Sequence, residues 1–326
     1  MQVFFGDLHL FDGKVASHVN YEKECLTIMD EMYTGCIEIK EKCCAKDEPF
    51  YVYFSGDLSG ALAAKRFMTL SFRSEVCKWL LRLNDITDGN LYSIRGNHDY
   101  SATDMTELVF FETLGLIKIL DQIDVPFDKV RITGFDYGAY DREFELHDEY
   151  LNIALTHNNF AFNDINMGFY KGNYIYVEDI KPLNKVDVIF AGHIHNPTSF
   201  YVKEIYEGKP IKLMYLGSPT RPANEANMWD SVNIGIVQKG EVTAFTFELM
   251  EKESIFNLTA IDDDNELKKL VADRKDIEES MKEIINNLLD YNTNKFFGSL
   301  LDQIMLYPGY TENVKLLAKK YYETAL

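Results

Sequence analysis

The chain has 326 residues, 46% hydrophobic and 26% charged, enough for one large α/β core and a smaller appendage. A formal charge of −19 argues against holding a polyanion by bulk charge; bound cations or a basic partner would have to do that work. No apolar run reaches the roughly 18 residues that cross a bilayer, so no membrane association is expected. Five cysteines without a C-x-x-C pair argue against a disulfide framework. The start, Met1 to Gly6, shows no basic segment and no small-residue cleavage site, and a cytoplasmic location is expected.

Gln2 to Leu8 reads as a buried strand ending in Gly6-Asp7. Ser17 can cap a helix running to about Lys46, with Leu26, Met29 and Met32 at helical spacing. Phe50 to Phe54 is a second buried strand followed by Ser55-Gly56-Asp57, and a helix is expected over Ala61 to Asn84. Leu91 to Arg95 is a third strand, before Gly96-Asn97-His98-Asp99. The same order, strand then sharp polar loop, recurs at Leu151–Leu155 before His157 and at Val186–Ala191 before Gly192-His193-Ile194-His195. In an α/β sheet such loops gather along the edge formed by the carboxyl ends of the strands, so five distant motifs can converge. From Thr198 the pattern becomes strands joined by turns: Phe200–Tyr206 with Ile211–Tyr215, then Val232–Val237 with Val242–Phe247. Residues 1–253 are read as the catalytic domain and 254–326 as a mostly helical appendage, with apolar residues from Leu267 to Leu289 at helical spacing.

Asp7 and His9 place two ligand types on one loop, and a strand-end carboxylate at Asp57 can bridge two cations. Asn97 adds a carbonyl oxygen, and His157, His193 and His195 add imidazoles. Mixed nitrogen and oxygen ligation without cysteine suits Mn²⁺, Fe, Zn²⁺ or Mg²⁺, and the histidine share favours transition metals. Two such ions, roughly 3.5–4 Å apart, can clamp a phosphoryl group during in-line attack. Of the seven histidines, His18 and His147 fall outside these motifs. His147 sits in a charged stretch and is read as solvated; His18 is read as interior or near substrate.

Asp7-x-His9, Gly56-Asp57, Gly96-Asn97-His98-Asp99, His157 and Gly192-His193-Ile194-His195 together resemble the ordered motif set of the calcineurin-like metallophosphoesterases, over roughly the first 250 residues. The resemblance implies a two-sheet β-sandwich flanked by helices, with a dimetal site at its edge. It implies that Asp7, His9, Asp57 and His195 hold one ion, and that Asp57, Asn97, His157 and His193 hold the other. His98 resembles the family's histidine that protonates the leaving oxygen, with Asp99 orienting its imidazole.

Within the family the chain looks most like the SbcD-type DNA exonuclease subunit that works with a coiled-coil ATPase. Tyr176 through His195, the element Tyr215-Leu216-Gly217-Ser218-Pro219, and the C-terminal appendage carry that likeness. It implies DNA as substrate, Mn²⁺ as the favoured ion, and an ATPase partner or a second copy of the chain docked through the appendage. Gly56-Asp57-Leu58-Ser59 lacks the Phe-Asp common in that branch, which keeps a nucleotide, small phosphoester or phosphoprotein as the alternative substrate. Arg95 and Arg221 are candidate phosphate contacts, with structural ion pairs as the competing reading.

Overall fold

The structure is a computed structural model describing residues 1–13, 15, 18–45, 47–60, 68–100, 106–163, 174–181, 183–206, 208–222 and 229–256. The first half contains β1 (Gln2–Phe5), α1 (Tyr21–Cys43), β2 (Tyr51–Phe54), α2 (Leu70–Ile86), β3 (Leu91–Ser93), α3 (Glu107–Thr113), β4 (Lys118–Ile119), β5 (Gln122–Val125) and β6 (Val130–Phe135). The second half adds β7 (Leu151–Thr156), β8 (Phe160–Ala161), β9 (Ile175–Tyr176), β10 (Val188–Ala191), β11 (Tyr201–Tyr206), β12 (Lys209–Tyr215), β13 (Ser231–Gln238), β14 (Glu241–Glu248) and the short α4 (Lys252–Ile255).

Two six-stranded sheets result, ordered β14-β13-β1-β2-β3-β4 and β11-β12-β10-β7-β6-β5. β1 to β4 run parallel, as do β6, β7, β10 and β12, while the outer pairs β13–β14, β5–β6 and β11–β12 are antiparallel. Strands buried on both faces explain why the central segments read as unbroken apolar runs rather than alternating ones. Alternate residues still divide between faces. Phe4, Tyr53 and Val237 meet Ile153, Leu155, Val188, Phe190 and Met214 between the sheets, where Phe4 stacks on Tyr53 at 4.7 Å and on Phe190 at 4.5 Å. Val3, Phe5, Val52 and Phe54 turn the other way, onto Ile28, Met32, Trp79 and Leu80 of the helices. Ala154, Ile189, Ala191 and Leu213 cover the far face of the second sheet with Phe160, Phe162, Val177 and Leu183. The architecture is the helix-flanked two-sheet sandwich expected from the motif order.

Both long helices begin later than expected. Asn20, in extended conformation, caps α1 by accepting from Lys23 N at 3.0 Å, and His18 is still paired as an antiparallel bridge with Phe256. Thr69 caps α2, accepting from Phe72 N at 3.3 Å; its own extended backbone stops any helix running through from Ala61, and residues 61–67 lie outside the described set. A cap that satisfies an orphan N–H decides such a boundary. The β5–β6 hairpin was not read from the sequence. The two C-terminal hairpins form as expected but finish different sheets: β12 lies parallel to β10, whereas β13 pairs with β1.

The expected boundary at 253/254 falls inside α4, and Ile255 and Phe256 are buried. The rest of the expected appendage, including the helical pattern from Leu267 to Leu289, lies outside the described residues. Among the described residues no helix is long and apolar enough to cross a membrane.

Candidate metal centre

Parallel strands end on one edge of the sandwich, and the ligand types follow those ends closely: Asp7 after β1, Asp57 after β2, Asn97 after β3, His157 after β7 and His193 after β10. Their loops are tied to each other before any ion is considered. His9 N and Leu8 N both donate to Asp57 O, at 2.8 and 3.2 Å. Asp7 Oδ1 accepts from Ser55 Oγ at 2.9 Å and Asp7 Oδ2 from His193 N at 2.7 Å. His98 N donates to Asp57 Oδ1 at 2.8 Å. The Ser218 hydroxyl donates to Asp7 O at 2.9 Å, and the Tyr21 hydroxyl to His9 O at 3.0 Å. His9, Asp57 and His193 sit at φ 45°, 47° and 70°, a left-handed conformation that costs non-glycine residues of order 1–3 kcal/mol each. The hydrogen bonds between the loops hold these three ligands in it.

The side chains converge. Asp57 Oδ2 lies 3.2 Å from His157 Nε2, 3.7 Å from His9 Nε2 and 3.8 Å from His98 Nε2. Asn97 Oδ1 is 3.0 Å from His157 Nε2 and 2.9 Å from His193 Nδ1. His9 Nε2 and His195 Nε2 face each other at 2.9 Å, and ligand atoms of Asp7, His9 and His195 lie within 4.8 Å of one another. His157 Nδ1 donates to Ser55 O at 2.7 Å, which fixes the orientation of the ring and turns Nε2 toward the cluster.

The electrostatics fit a cation-binding site. Burial pushes Asp7 up to about 7, with Asp57 adding to it against His157, and burial with the Asp57 charge pushes Asp99 up to about 8. Burial acts the same way on Asp57, but His157, His9 and His98 overcome it and hold that carboxyl below the usual range. Burial would also depress His157, but Asp57 and Asp7 raise it to about 10. His193 and His195 are pressed down to about 4 and His9 well below its ordinary value, burial leading in each. His9, His193 and His195, pressed toward the neutral form around the Asp57 carboxylate and beside two carboxyls whose ionisation burial opposes, make a donor set that positive charge would suit. Asp7, His9 and His195 form one group close enough to hold a metal ion, and Asp57 is shared by two more, with His9 and His98 and with Asp7 and His157.

Asp99 makes backbone contacts that the motif alone does not reveal. Its Oδ2 accepts from Gly96 N at 2.9 Å and Asp57 N at 2.8 Å, so it clamps two motif loops together. Arg95 stands at the margin, its Nη1 3.2 Å from Asp136 Oδ2 and its side chain 33% exposed. Arg221 is not brought to the cluster. It is fully buried, donating through Nη2 to Met250 O at 2.8 Å and reaching Glu24 at 4.0 Å. His18 is interior, 3.2 Å from Glu24, and His147 stacks on Tyr150 at 3.8 Å. Burial lifts Glu24 to about 9, with Arg221 opposing, and lowers His18 to about 4. Arg221 is thus the charge of this buried group. Arg221→Ala is expected to cost about 3–5 kcal/mol of stability in denaturant unfolding, from the cavity it leaves and the loss of the donor to Met250 O and Trp229 O, while leaving KM unchanged in the folded fraction.

Gly192 leaves no room for a side chain: a methyl there would land on Asp7 Oδ1 and Ser55 Oγ. Gly192→Ala should therefore weaken Mn²⁺ binding about tenfold to a hundredfold, read by calorimetric titration, because it displaces the hydroxyl that orients Asp7.

The sequence profile of the calcineurin-like phosphoesterases matches residues 3–197, a span that includes every ligand position above. The chain belongs to this family. Candidate metal-holding groups of the described residues lie within that span. Among solved structures, a 5′-nucleotidase precursor from Thermus thermophilus is similar at 13% identity and TM-score 0.38, covering 86% of this chain and 59% of its own. This chain therefore spans little more than half the length of that protein. A single-mutant Vps29 from Entamoeba histolytica is similar at 14% identity and TM-score 0.33, covering 78% of this chain and 94% of its own. None of the curated proteins compared matches the sequence.

Proposed function

We propose that the chain is a dimetal phosphodiesterase that cuts DNA, using Mn²⁺ and working with an ATPase partner that docks on residues after Ser254. The observation that carries the hydrolytic reading is Asp57 Oδ2 set among His157, His9 and His98 at 3.2, 3.7 and 3.8 Å, with its other oxygen on His98 N. Bound divalent ions supply an activated water and neutralise the phosphoryl oxygens. His98 contributes the proton: its Nε2, beside the charged Asp57 carboxylate, is placed to donate to the leaving oxygen as the bond breaks. Asp99 keeps the loops of Asp57 and His98 in register through its two backbone contacts. The Gly217-Ser218-Pro219 turn, one of the marks shared with the nuclease branch, ties the first and last motifs: Ser218 N donates to His195 O at 3.1 Å. The −19 charge is consistent with a catalytic subunit whose partner supplies the basic surface.

The same charge favours a second reading, a phosphodiesterase or phosphatase acting on a nucleotide or other small phosphoester. Purified protein with Mn²⁺ and end-labelled linear DNA separates the two, run beside His98→Ala, Asp57→Ala and a small chromogenic diester. DNA cleavage lost in both variants supports the nuclease reading. Turnover of the small diester with DNA left intact, even after an ATPase partner is added, overturns it in favour of the small substrate.

A further inference from the structure

One tyrosine beside the ligands has no part in holding the ions or moving the proton. Tyr137 follows β6 and keeps 43% of its surface exposed, yet its ring lies 5.3 Å from that of His193 and 6.2 Å from that of His157. An exposed aromatic on a loose loop would be unremarkable. This one stands on a turn fastened from three sides. Tyr137 N donates to Arg95 O at 2.8 Å, and Arg95 N donates back to Asp136 Oδ1 at 2.8 Å, which ties the turn to the strand before Asn97. Asn158, next to the ligand His157, accepts from Gly138 N at 2.8 Å and donates to Asp136 O at 3.0 Å. Ala139 N closes the turn onto Asp136 O at 3.0 Å, and Gly138 takes the left-handed conformation, φ 77°, that the turn requires. The backbone that carries the ring is therefore fixed relative to His157 and His193, and the residue stays 43% exposed.

We propose that Tyr137 is a substrate-binding residue whose ring stacks on the base of the nucleoside that keeps the cleaved phosphate. This rests on the phosphodiesterase reading above and holds for either DNA or a free nucleotide. His98, the proton donor to the leaving oxygen, packs against His9 at 5.0 Å, whereas Tyr137 packs against His157 and His193. Tyr137 thus touches other rings than His98 does, and on that ground it is given the base of the part that does not leave. A ring carried on a fixed turn loses little freedom on stacking, and every base offers it a face, so recognition is of nucleosides without a fixed sequence.

The test compares two esters with one leaving group: thymidine 5′-(p-nitrophenyl phosphate) and methyl p-nitrophenyl phosphate. The native protein is expected to prefer the nucleoside ester in kcat/KM. Tyr137→Ala should shrink that preference about tenfold or more, mainly through KM for the nucleoside ester. Tyr137→Phe, which keeps the ring, should retain it. Calorimetric binding of thymidine monophosphate to the same three proteins reads the same contact without turnover. Equal losses on both esters, or a preference that survives Tyr137→Ala, would overturn the assignment, and so would a native protein without nucleoside preference. Failure to degrade long DNA counts against the nuclease reading alone and leaves this comparison readable.

Discussion

Asp57→Ala is expected to lower kcat/KM for a small phosphodiester by about a thousandfold or more, and to reduce bound Mn²⁺ below two ions per chain. The size follows from position. Asp57 is 1% exposed, one oxygen accepts from His98 N, and the other lies among three imidazoles, so its loss would disturb both proposed ion positions and the proposed proton donor. Asp57→Asn keeps an acceptor for His98 N but loses the negative charge set among the imidazoles, and is expected to fall nearly as far. Circular dichroism and metal content on the same samples separate loss of the site from loss of the fold. A variant that keeps two ions and at least a tenth of native activity would remove Asp57 from the centre of the mechanism.

His98→Ala is expected to leave metal content unchanged and to lower turnover by about 10²–10⁴ on substrates with an alkoxide leaving group, the range for a positioned general acid. With p-nitrophenolate, which leaves without needing a proton, the loss should be much smaller. Initial rates on both ester types give the contrast. Equal losses would assign His98 to charge stabilisation of the transition state in place of proton donation.

Much of this site could be read along the chain because its ligands sit within a few residues of the strands that place them. Gly96-Asn97-His98-Asp99 and Gly192-His193-Ile194-His195 are local patterns, and the strands before them are marked by continuous apolar runs. What escaped depends on contacts between distant residues. Asp99 sits beside His98 in sequence, yet its carboxylate goes to Asp57 N, 42 residues away. Arg221 looks like a phosphate contact from its Gly-Ser-Pro context, but Glu24, Trp229 O and Met250 O surround it in the interior. Tyr137 did have a signal. Val130 to Phe135 followed by Asp136-Tyr137-Gly138 repeats the order of strand then sharp loop a sixth time, hidden because no histidine or metal-type pair closes it. The helix starts moved for a similar reason: Asn20 and Thr69 are strong caps, but only the β-bridge of His18 with Phe256 shows that the chain stays extended up to the first of them.

Two-metal phosphoester hydrolysis is tested most directly with a chromogenic phosphodiester and chelator-stripped protein titrated with Mn²⁺. The stripped protein should be inactive, and activity should recover and saturate at two ions per chain in the native form, with no such recovery in Asp57→Ala. Activity that survives stripping, or native protein that binds two ions and hydrolyses no phosphoester, would contradict a dimetal hydrolase centred on Asp57.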